Sequence, residues 1–579
     1  MKAQALRQRE LIGDPAALEG MHPVLRRIYA ARGILAPDQL EHRLARLASP
    51  QSLGGLAAAC DLLERALREN WRIVVVGDFD ADGATGTAVA VRGLRGLGAR
   101  DVHYRVPNRF THGYGLSPIL VKELLPLSPR LIVTVDNGVA ANAGIAEARA
   151  HGIDVLVTDH HLPGDTLPDA SAMVNPNLDG DAFPSKALAG VGVMFYLLMA
   201  LRAQLRERGW FAEAKIAEMD LCTLLDLVAL GTVADLVPLD FNNRVLVEAG
   251  LRRIRAGQAC AGIAALIETG KRRAATLCAT DLGFALGPRI NAAGRLDDMG
   301  LGIECLLTDD RLRAYSLAET LSAINSERRD LQAAMVEQGE AAVERFLRSH
   351  GSAALPVGLV LAEADWHAGV IGLVASRLKE KLHRPVIACG PASDDHSGEW
   401  KASARSIPGF HVRDALAEVD ARYPNLMLRF GGHAMAAGLS LMAADVAAFA
   451  AAFDAVARER IRADLLEPVT WTDGGLDAAD FDHALARDLR LAGPWGQGFP
   501  EPLFEDEFQL VGWRVMGETH LSLSLQHAAR AQPLDAVMFG VYDGTPPPGH
   551  FRAAYHLQLD EWNGRERLRL LLRQWQPLA

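Results

Sequence analysis

The chain has 579 residues and a mass of 62.4 kDa, which predicts about three or four domains around one active site rather than a single core. Hydrophobic residues make up 49% and charged residues 23% of the chain, the balance of a soluble globular protein, which excludes a disordered or fibrous chain. The net charge of −11 excludes broad coating of nucleic acid, so any nucleic-acid contact must be confined to a groove.

The N-terminal residues lack the apolar core of a secretory signal, and the longest apolar run, at 191–200, is too short to span a bilayer. The six cysteines lie far apart without a C-x-x-C pair, which argues against a zinc ribbon or a disulfide framework. We therefore expect a cytoplasmic protein with reduced thiols and no membrane partner.

The N-terminal part of the chain predicts a helical segment at 1–45 and an α/β domain at 46–260. Short β-branched runs end in turns rich in Asp or Gly and are separated by segments of helix length. This is the β-α-β pattern of a buried parallel sheet. A later apolar run, 221–230, predicts a helix that leads into a turn at Gly231. The predicted strands are 73–76, 131–135, 155–157 and 172–174.

An interdomain segment at 261–354 is predicted to contain a long connecting helix. Thr308 is a candidate N-cap, and apolar residues then recur at helical spacing as far as Phe346. The polar positions 327–330 of this helix face either a cleft between domains or solvent. Strand-like sequence resumes at Pro356, which indicates a second α/β domain at 355–462.

The C-terminal region, 463–579, consists of short alternating runs that predict a small β-barrel of the OB type. The runs are 508–515, 520–525 and 567–572, and Asn563-Gly564 predicts a hairpin turn. The tryptophans of this region either stack on nucleic-acid bases or fill the barrel core. These are Trp471, Trp513, Trp562 and Trp575.

The first chemical motif is G-D-F-D-A-D-G, in which Asp78, Asp80 and Asp82 alternate directly after a buried strand. Alternating carboxylates in an extended segment can converge on a hard cation such as Mg²⁺ or Mn²⁺. One alternative is a solvated acidic turn. A calcium loop of the D-x-D-x-D-G type is a second, but that loop needs a Glu where this chain has Val89.

Two further motifs end the next two predicted strands. Asp136 follows one strand in T-V-D-N-G, and Asp159, His160 and His161 follow the other in V-T-D-H-H. The carboxyl ends of neighbouring parallel strands meet at one edge of a sheet, where ligand sites form. Three strand ends that all deliver acids or histidines therefore predict a metal centre.

The fourth motif, G-T-V-A-D, places Asp235 in a turn after an apolar helix. Asp226, within that helix, is an alternative ligand that we expect instead to pack or to cap a helix. Carboxylates with a single histidine suit two Mn²⁺ or Mg²⁺ ions, whereas zinc sites contain more histidine and cysteine.

These four motifs, in this order, resemble those of the DHH phosphoesterase superfamily, and further segments are similar to its single-strand-specific exonuclease family. The resemblance covers nearly the whole chain and is strongest at 72–440. The further segments are P-N-R-F-T-H-G-Y-G (107–115), L-G-P-R-I-N-A-A-G-R-L (286–296), D-W-H-A-G-V-I-G (365–372), S-A-R-S-I-P-G-F (403–410) and F-G-G-H-A-M-A-A-G (430–438).

The resemblance implies a catalytic centre with two divalent metal ions, and Asp78 is a possible additional ligand. His161 would contact the scissile phosphate, with Asp159 close by. The superfamily often has a histidine four residues before the first ligand aspartate, but this chain has Val76 there. Two such metals activate a water against phosphorus, so that no protein nucleophile is needed. The implied metal ligands are Asp80, Asp82, Asp136, His160 and Asp235.

The resemblance also implies a pocket for the 5′-terminal phosphate, formed by Arg109, Ser403 and Arg405. Arg289, Asn291 and Arg295 would line the passage for the incoming strand.

Two further sets of candidates have open alternatives. Gly431, Gly432 and His433 form either a backbone cradle for a phosphate at a helix start or a site of close helix packing. Trp366 and His367 could contact a nucleotide, although Trp366 is equally compatible with a core position.

The expected activity is metal-dependent hydrolysis of single-stranded DNA from 5′ to 3′ to mononucleotides, in recombination and repair. The resemblance further implies a DHH-associated domain, an OB fold, a DNA helicase partner and a single-strand-binding protein partner. One alternative is a phosphodiesterase of the same superfamily that acts on short oligonucleotides or cyclic dinucleotides. Another is a non-catalytic binding module, against which the intact acidic set argues.

Overall fold

The computed structural model describes residues 5–108, 112–350, 355–392, 398–562 and 565–578. The strands are β1 (Ala5–Gln8), β2 (Ile73–Gly77), β3 (Val102–Arg105), β4 (Leu131–Val135), β5 (Asp154–Thr158), β6 (Ala172–Val174), β7 (Leu359–Ala362), β8 (Val386–Pro391), β9 (Glu399–Arg405), β10 (Arg429–Gly432), β11 (Ala436–Met442), β12 (Val469–Thr472), β13 (Phe504–Met516), β14 (His520–His527), β15 (Leu534–Met538), β16 (His550–Trp562) and β17 (Arg565–Pro577).

The helices are α1 (Pro23–Ala31), α2 (Leu56–Arg68), α3 (Ala81–Gly96), α4 (Pro118–Leu124), α5 (Asn142–Ala150), α6 (Gly190–Glu207), α7 (Trp210–Ala214), α8 (Leu225–Ala234), α9 (Phe241–Arg255), α10 (Ala261–Thr269), α11 (Ala279–Asp281), α12 (Gly287–Leu296), α13 (Gly300–Leu307), α14 (Arg311–His350), α15 (Ile371–Leu382), α16 (Val412–Arg422), α17 (Val446–Arg460) and α18 (His483–Leu491). A π-helical turn, Leu282–Leu286, precedes α12. In the described part of the chain, no helix is long and apolar enough to cross a membrane.

The first domain is built on a parallel sheet with the strand order β3-β2-β4-β5-β6. The four predicted strands are confirmed, and β2 and β4 are buried along their whole length. Only β3 was missed, because its sequence V-H-Y-R is half-exposed and contains no apolar run. Since all five strands run in one direction, the residues that follow β2, β4 and β5 meet at one edge of the sheet.

The turn predicted at Gly231 is wrong, because α8 continues through this residue to Ala234. A Cβ atom at Gly231 would lie 2.2 Å from Thr85 Oγ1 on α3. The glycine therefore permits α8 to pack closely on α3 and does not end the helix.

The long connecting helix is confirmed as α14, but its N-cap is Asp310 rather than Thr308. Asp310 Oδ1 accepts a hydrogen bond from the backbone N–H of Leu312 at 2.9 Å, whereas Thr308 ends α13. Of the polar positions 327–330, Arg328 is half-buried and the other three are exposed, as expected of a largely solvated helix face.

The second α/β domain contains a mixed sheet with the order β10-β11-β9-β8-β7. Strands β7 and β8 are parallel, and the remaining neighbours are antiparallel. Helices α15, α16 and α17 belong to this domain, and α14 connects it to the first domain.

The C-terminal strands form the predicted closed barrel, in the order β13-β14-β15-β17-β16. Trp575 packs on Phe551 with 5.4 Å between ring centroids, while Trp513 is 41% exposed. Trp471 lies on β12, outside the barrel strands. Asn563-Gly564 lies outside the described residues.

The N-terminal segment is not purely helical, which corrects the prediction for residues 1–45. Strand β1 pairs in parallel with β12, next to the barrel. The Tyr29 ring stacks near Trp495 and Phe499. Arg32 Nη1 lies 2.7 Å from Asp473 Oδ1, and both side chains are almost fully buried. The segment thus fastens the C-terminal region to the rest of the protein.

We expect Arg32→Ala to lower the free energy of unfolding by about 3 kcal/mol, because it leaves the buried Asp473 carboxylate without its counter-charge. Arg46→Ala is the matched control. Its partner Asp38 is 2.8 Å away and the pair is exposed, so its loss should cost less than about 0.5 kcal/mol. Thermal unfolding of the two variants measures both, and equal shifts would show that the buried pair is unimportant.

Candidate metal centre

The predicted acids and histidines converge at the carboxyl edge of the parallel sheet. Asp78 follows β2, Asp136 follows β4, His160 and His161 follow β5, and Asp235 ends α8. Their ligand atoms form three overlapping groups, each within 4.8 Å. The groups are Asp78 with Asp80 and Asp136, Asp82 with His160 and Asp235, and Asp136 with His160 and His161.

Asp80 and Asp82 are held rigidly by backbone N–H groups. Asp80 caps α3, since its Oδ1 accepts from the N–H of Asp82 at 2.9 Å and of Gly83 at 3.0 Å. Asp82 accepts from the N–H of Gly190 at 2.7 Å and of Val191 at 2.9 Å, at the start of α6. Two helix N-termini therefore point at the acids and partly offset their negative charge.

Asp136 lies in a backbone conformation that few residues other than glycine adopt, with φ of 62°. The neighbouring Asn137 side chain donates to Val76 O at 3.0 Å and to Val135 O at 2.9 Å, which ties the ends of β2 and β4 together. This bracing holds the Asp136 backbone in place. Strain of this kind is typical of functional sites.

The Asp159 carboxylate is hydrogen-bonded to its own loop and to the segment that follows β4. Its Oδ2 accepts from Val139 N–H at 2.9 Å, and its Oδ1 accepts from the backbone N–H of His160 and His161. Asp159 Oδ1 also lies 2.7 Å from His161 Nδ1. Burial favours a higher pKa for Asp159, but these contacts with His161 outweigh it and lower the pKa on balance. Asp159 is therefore bound to the backbone of both histidines and to the His161 side chain.

Three of the other acids, Asp82, Asp136 and Asp235, are destabilised as anions by burial and by neighbouring acids. Burial, together with Asp235 and Asp80, raises the pKa of Asp82 well above its ordinary value. Burial and neighbouring acids do the same to the pKa of Asp136, and burial with Asp80 raises the pKa of Asp235 to about 7. A cluster of this kind is stable in its ionised form only with cations bound to it.

The pKa values of the two histidines are shifted in opposite directions. Burial, with the charge of His161, lowers the pKa of His160 to about 4, so His160 is neutral and suited to bind a metal. Burial also disfavours the charged form of His161, but the hydrogen bond and charge of Asp159 raise its pKa to about 9. His161 is thus held as a cation beside the cluster.

The donor set fits divalent metal ions. Asp136 Oδ1 and His160 Nε2 are buried and lack a hydrogen-bond partner of good geometry among the described residues, although they lie 3.0 Å apart. His160 Nε2 is also 3.6 Å from Asp235 Oδ2. Oxygen-rich sites with one imidazole suit Mn²⁺ or Mg²⁺. Val76, at the position where the superfamily often has a histidine, is buried within β2 and adds no ligand.

Tyr114 also belongs to this site, although sequence reasoning did not select it. Its hydroxyl donates to Asp136 O at 3.0 Å, and its ring centroid lies 5.8 Å from that of His161. The only signal was its place in the P-N-R-F-T-H-G-Y-G segment, which the resemblance had singled out. Arg109, in the same segment, lies outside the described residues.

Asp226 is excluded from the metal centre. Its carboxylate accepts from the backbone N–H of Leu227 at 2.9 Å and of Cys260 at 2.7 Å. The second bond is made at the start of α10, so Asp226 caps that helix, as the sequence analysis expected of it.

Helix α12 passes beside the metal centre and presents the three predicted passage residues. Asn291 Oδ1 accepts from Ala81 N–H at 2.8 Å, directly at the loop that carries Asp80 and Asp82. Arg295 Nη1 donates to Gly369 O of the second domain at 3.3 Å. Arg289 donates from Nε to Ser322 Oγ on α14 at 3.0 Å.

Across the cleft, the second domain presents Ser403 and Arg405 on β9. Arg405 Nη1 donates to Ser403 Oγ at 2.9 Å. A Cβ atom at Gly372, in the first turn of α15, would lie 2.9 Å from Arg405 Nη2 and from Ser403 Oγ. The guanidinium group and the hydroxyl group thus lie close against the first turn of α15, where glycine leaves room for them.

Both interpretations of the Gly431–Gly432–His433 segment assumed a helix, and that assumption is wrong. The segment belongs to the antiparallel β10–β11 pair, in which Gly431 lies opposite Gly438. A Cβ atom at either of these two glycines would have no neighbour within 4 Å, so this face of the hairpin is open. Burial lowers the pKa of His433, and the charge of His161 lowers it further. The hairpin therefore lies near the metal centre.

The structure favours the core interpretation for Trp366. The ring is only 2% exposed, and its Nε1 donates to Gln338 Oε1 of α14 at 2.8 Å. Stacking on a nucleotide requires an accessible ring face, which Trp366 lacks. His367 is exposed and stays a candidate for nucleotide contact.

We expect Asp136→Asn to increase stability but to abolish activity. Without metal, the variant removes an acid whose ionisation is disfavoured by burial and by neighbouring acids, and Asn tolerates positive φ. Its free energy of unfolding in chelator should therefore rise by about 1 kcal/mol. Hydrolysis with Mn²⁺ should fall by at least about 100-fold. Thermal unfolding in chelator and nuclease rates measure the two effects. A lower melting temperature with activity retained would contradict this account of the site.

Known protein families and relatives match the chain over most of its length. Three family models match: the DHH family N-terminal domain at residues 72–232, the DHHA1 domain at 355–459 and the RecJ OB domain at 472–574. The chain is 51% identical over 563 residues to the single-stranded-DNA-specific exonuclease RecJ of Dickeya dadantii, covering 97% of each chain. It is 48% identical to the protein of the same name from Escherichia coli, covering 99% of each.

The fold also resembles a solved structure. The crystal structure of RecJ in complex with Mn²⁺ from Thermus thermophilus matches with a TM-score of 0.78 at 32% identity. The match covers 99% of this chain and 79% of that one. A second crystal structure from the same organism contains Mg²⁺.

Proposed function

Because the chain belongs to the RecJ family of single-stranded-DNA-specific exonucleases, we propose that it degrades single-stranded DNA from the 5′ end to mononucleotides. Its role lies in DNA recombination and repair, and Mn²⁺ or Mg²⁺ is its cofactor. One observation carries the proposal: a cluster of two buried acids (Asp82 and Asp136) and two half-buried acids (Asp80 and Asp235) faces a cleft that also contains the half-buried guanidinium group of Arg405.

In this proposal the first domain performs the hydrolysis. When bound, two divalent metal ions lower the pKa of a water and neutralise charge on the phosphate oxygens. Asp159 orients His160 as a ligand and keeps His161 charged, so that His161 donates a hydrogen bond to the scissile phosphate. The ion-binding residues are Asp80, Asp82, Asp136, His160 and Asp235, with Asp78 adjacent.

The second domain selects the 5′ end. Burial lowers the pKa of Arg405, and among the ion pairs of the described residues none involves Arg405. A partly desolvated guanidinium group without a carboxylate favours binding of an anion. Together with Ser403 and the first turn of α15, Arg405 forms a pocket for the terminal phosphate. The pocket fixes the end of the strand at a set distance from the metals, so one nucleotide is removed at a time.

The DNA between the phosphate pocket and the metal centre, and the DNA beyond them, is bound through its sugar-phosphate backbone. Arg289, Asn291 and Arg295 on α12 bind phosphates, and His367 contacts a nucleotide. On the opposite wall, the open hairpin face at Gly431, next to Gly432, lets the sugar-phosphate backbone approach closely, and His433 adds a polar contact.

Two features favour a long substrate over the rival activity on short oligonucleotides or cyclic dinucleotides. The C-terminal barrel and the G-P-R-I-N-A-A-G-R segment are both present, and neither is needed for dinucleotides. The complete acid cluster likewise opposes a non-catalytic binding module.

We infer further features of its cellular role from the substrate. A helicase that unwinds duplex DNA and a single-strand-binding protein are its natural partners, because both control access to single strands. The enzyme acts in the cytoplasm, where the DNA of its bacterial relatives lies. We also propose that the chain has five regions with boundaries at residues 45, 260, 354 and 462. They are the N-terminal segment, the catalytic domain, the connecting segment, the second α/β domain and the C-terminal barrel region.

Digestion of one oligonucleotide, labelled at either end, tests the function. Mn²⁺ or Mg²⁺ should support release of mononucleotides from the 5′ end of the single strand, whereas chelator or annealing to a complement should prevent it. Intact long DNA together with rapid loss of dinucleotides would instead identify the short-substrate enzyme.

Arg405→Ala tests whether the phosphate pocket determines degradation from the 5′ end. We expect kcat/KM for a 5′-phosphorylated strand to fall by about 100-fold, because a charge-assisted, bidentate contact is lost. A 5′-hydroxyl strand should be affected much less. Arg458→Ala, which removes an exposed arginine on α17 of the same domain, is the control. An equal loss on both strands would show that Arg405 does not bind the terminal phosphate.

A further inference from the structure

Phe284 is the most exposed aromatic ring among the large hydrophobic side chains of the described residues, at 82%. It lies in the π-helical turn Leu282–Leu286. Such wide turns are rare and occur frequently at functional sites. The turn displays the ring to solvent, although burial of a ring of this size would be favourable by about 2 kcal/mol.

The π-helical turn packs directly on the end of α8, which carries the metal ligand Asp235. A Cβ atom at Gly283 would lie 3.3 Å from Val233 Cγ1, and one at Gly287 would lie 3.0 Å from Ala234 Cβ. Leu236, the residue after Asp235, is 68% exposed and has φ of 63°. Two exposed apolar side chains therefore lie on adjoining segments at the rim of the metal centre.

Helix α12 runs from the phosphate pocket, past the metal centre, towards the turn that contains Phe284. Arg295 contacts Gly369, near the phosphate pocket. Asn291 contacts Ala81, which lies between the acids Asp80 and Asp82. At about 1.5 Å per residue, Asn291 lies roughly 6 Å from Arg295 along the axis of α12. The π-helical turn that contains Phe284 directly precedes the other end of α12. The order is thus phosphate pocket, metal centre, Phe284.

Positive charge accompanies the ring. Arg289 donates to Ala285 O, in the turn that contains Phe284. Burial lowers the pKa of Arg289, and the nearby charges of Arg272 and Arg329 lower it further. An aromatic face beside guanidinium groups is the combination that binds single-stranded nucleic acid, since the ring stacks on a base and the charges bind phosphates.

We propose that Phe284 stacks on a base of the strand 3′ to the cleaved bond, at about the second to fourth nucleotide from the 5′ end. This inference rests on the exonuclease activity proposed above. A 5′ end fixed in the pocket and cut at the metals continues past Phe284. The ring therefore grips the strand that remains after each cleavage, and it does so without regard to sequence because every base offers a flat face.

A double-mutant cycle between protein and substrate tests the stacking directly. Release of the first nucleotide is measured for a 5′-phosphorylated 12-nucleotide strand and for strands with one abasic residue at positions two to five. With the unaltered enzyme, the abasic residue at the contact position should lower kcat/KM by about tenfold. Phe284→Ala should lower kcat/KM for the intact strand by about the same factor and should be insensitive to that abasic residue.

Two variants serve as controls. Phe284→Tyr keeps a ring and should restore both the rate and the sensitivity to the abasic residue. Leu312→Ala removes a side chain that is 84% exposed on α14 and should leave both unchanged. Because Phe284 is exposed, its replacement should not lower the melting temperature, which separates the effect from misfolding.

The outcomes distinguish the two proposals. If the unaltered enzyme fails to release nucleotides from the 5′ end, the proposed function is wrong. If it does release them, but Phe284→Ala and the abasic residue act independently at every position, the stacking role of Phe284 is wrong.

Discussion

The mutual repulsion of buried carboxylates at one edge of a parallel sheet is the constraint on which the structure depends. Asp82 and Asp136 are almost completely inaccessible to water, and burial raises the pKa of both. The fold stabilises them only in part, through the N-terminus of α6, which binds Asp82, and through the bracing of the Asp136 backbone by Asn137. The remaining compensation has to come from divalent metal ions, and the chemistry of phosphodiester hydrolysis follows from that need.

Most of the fold and of the metal centre could be predicted because the relevant signals are local. Each predicted strand of the first sheet is a short apolar run, three of these runs end at an acid, and the common direction of the strands brings those ends together. The positions of Asp78, Asp136 and Asp159 at this edge could therefore be predicted from the sequence. The barrel was recognisable from alternation and the long helix from its period.

The features that were missed depend on contacts between distant segments. The pairing of β1 with β12 joins the two ends of the chain and leaves no local pattern. Gly231 was interpreted as a turn because its role, space for Thr85, lies on another helix. The small residues at 431–438 suit helix packing and hairpins equally, and only the neighbouring strand β9 decides between them. The same limit applies to Tyr114 and Phe284, whose importance comes from what lies beside them.

Thermal unfolding as a function of free Mn²⁺ tests the central claim most directly. If metal ions compensate the buried acids, the melting temperature of the unaltered protein should rise steadily with Mn²⁺ above the dissociation constant, corresponding to about 2.7 kcal/mol at a hundredfold excess over that constant. The rise should be much smaller for Asp136→Asn. A melting temperature that is independent of Mn²⁺, or equal increases in both proteins, would contradict the account.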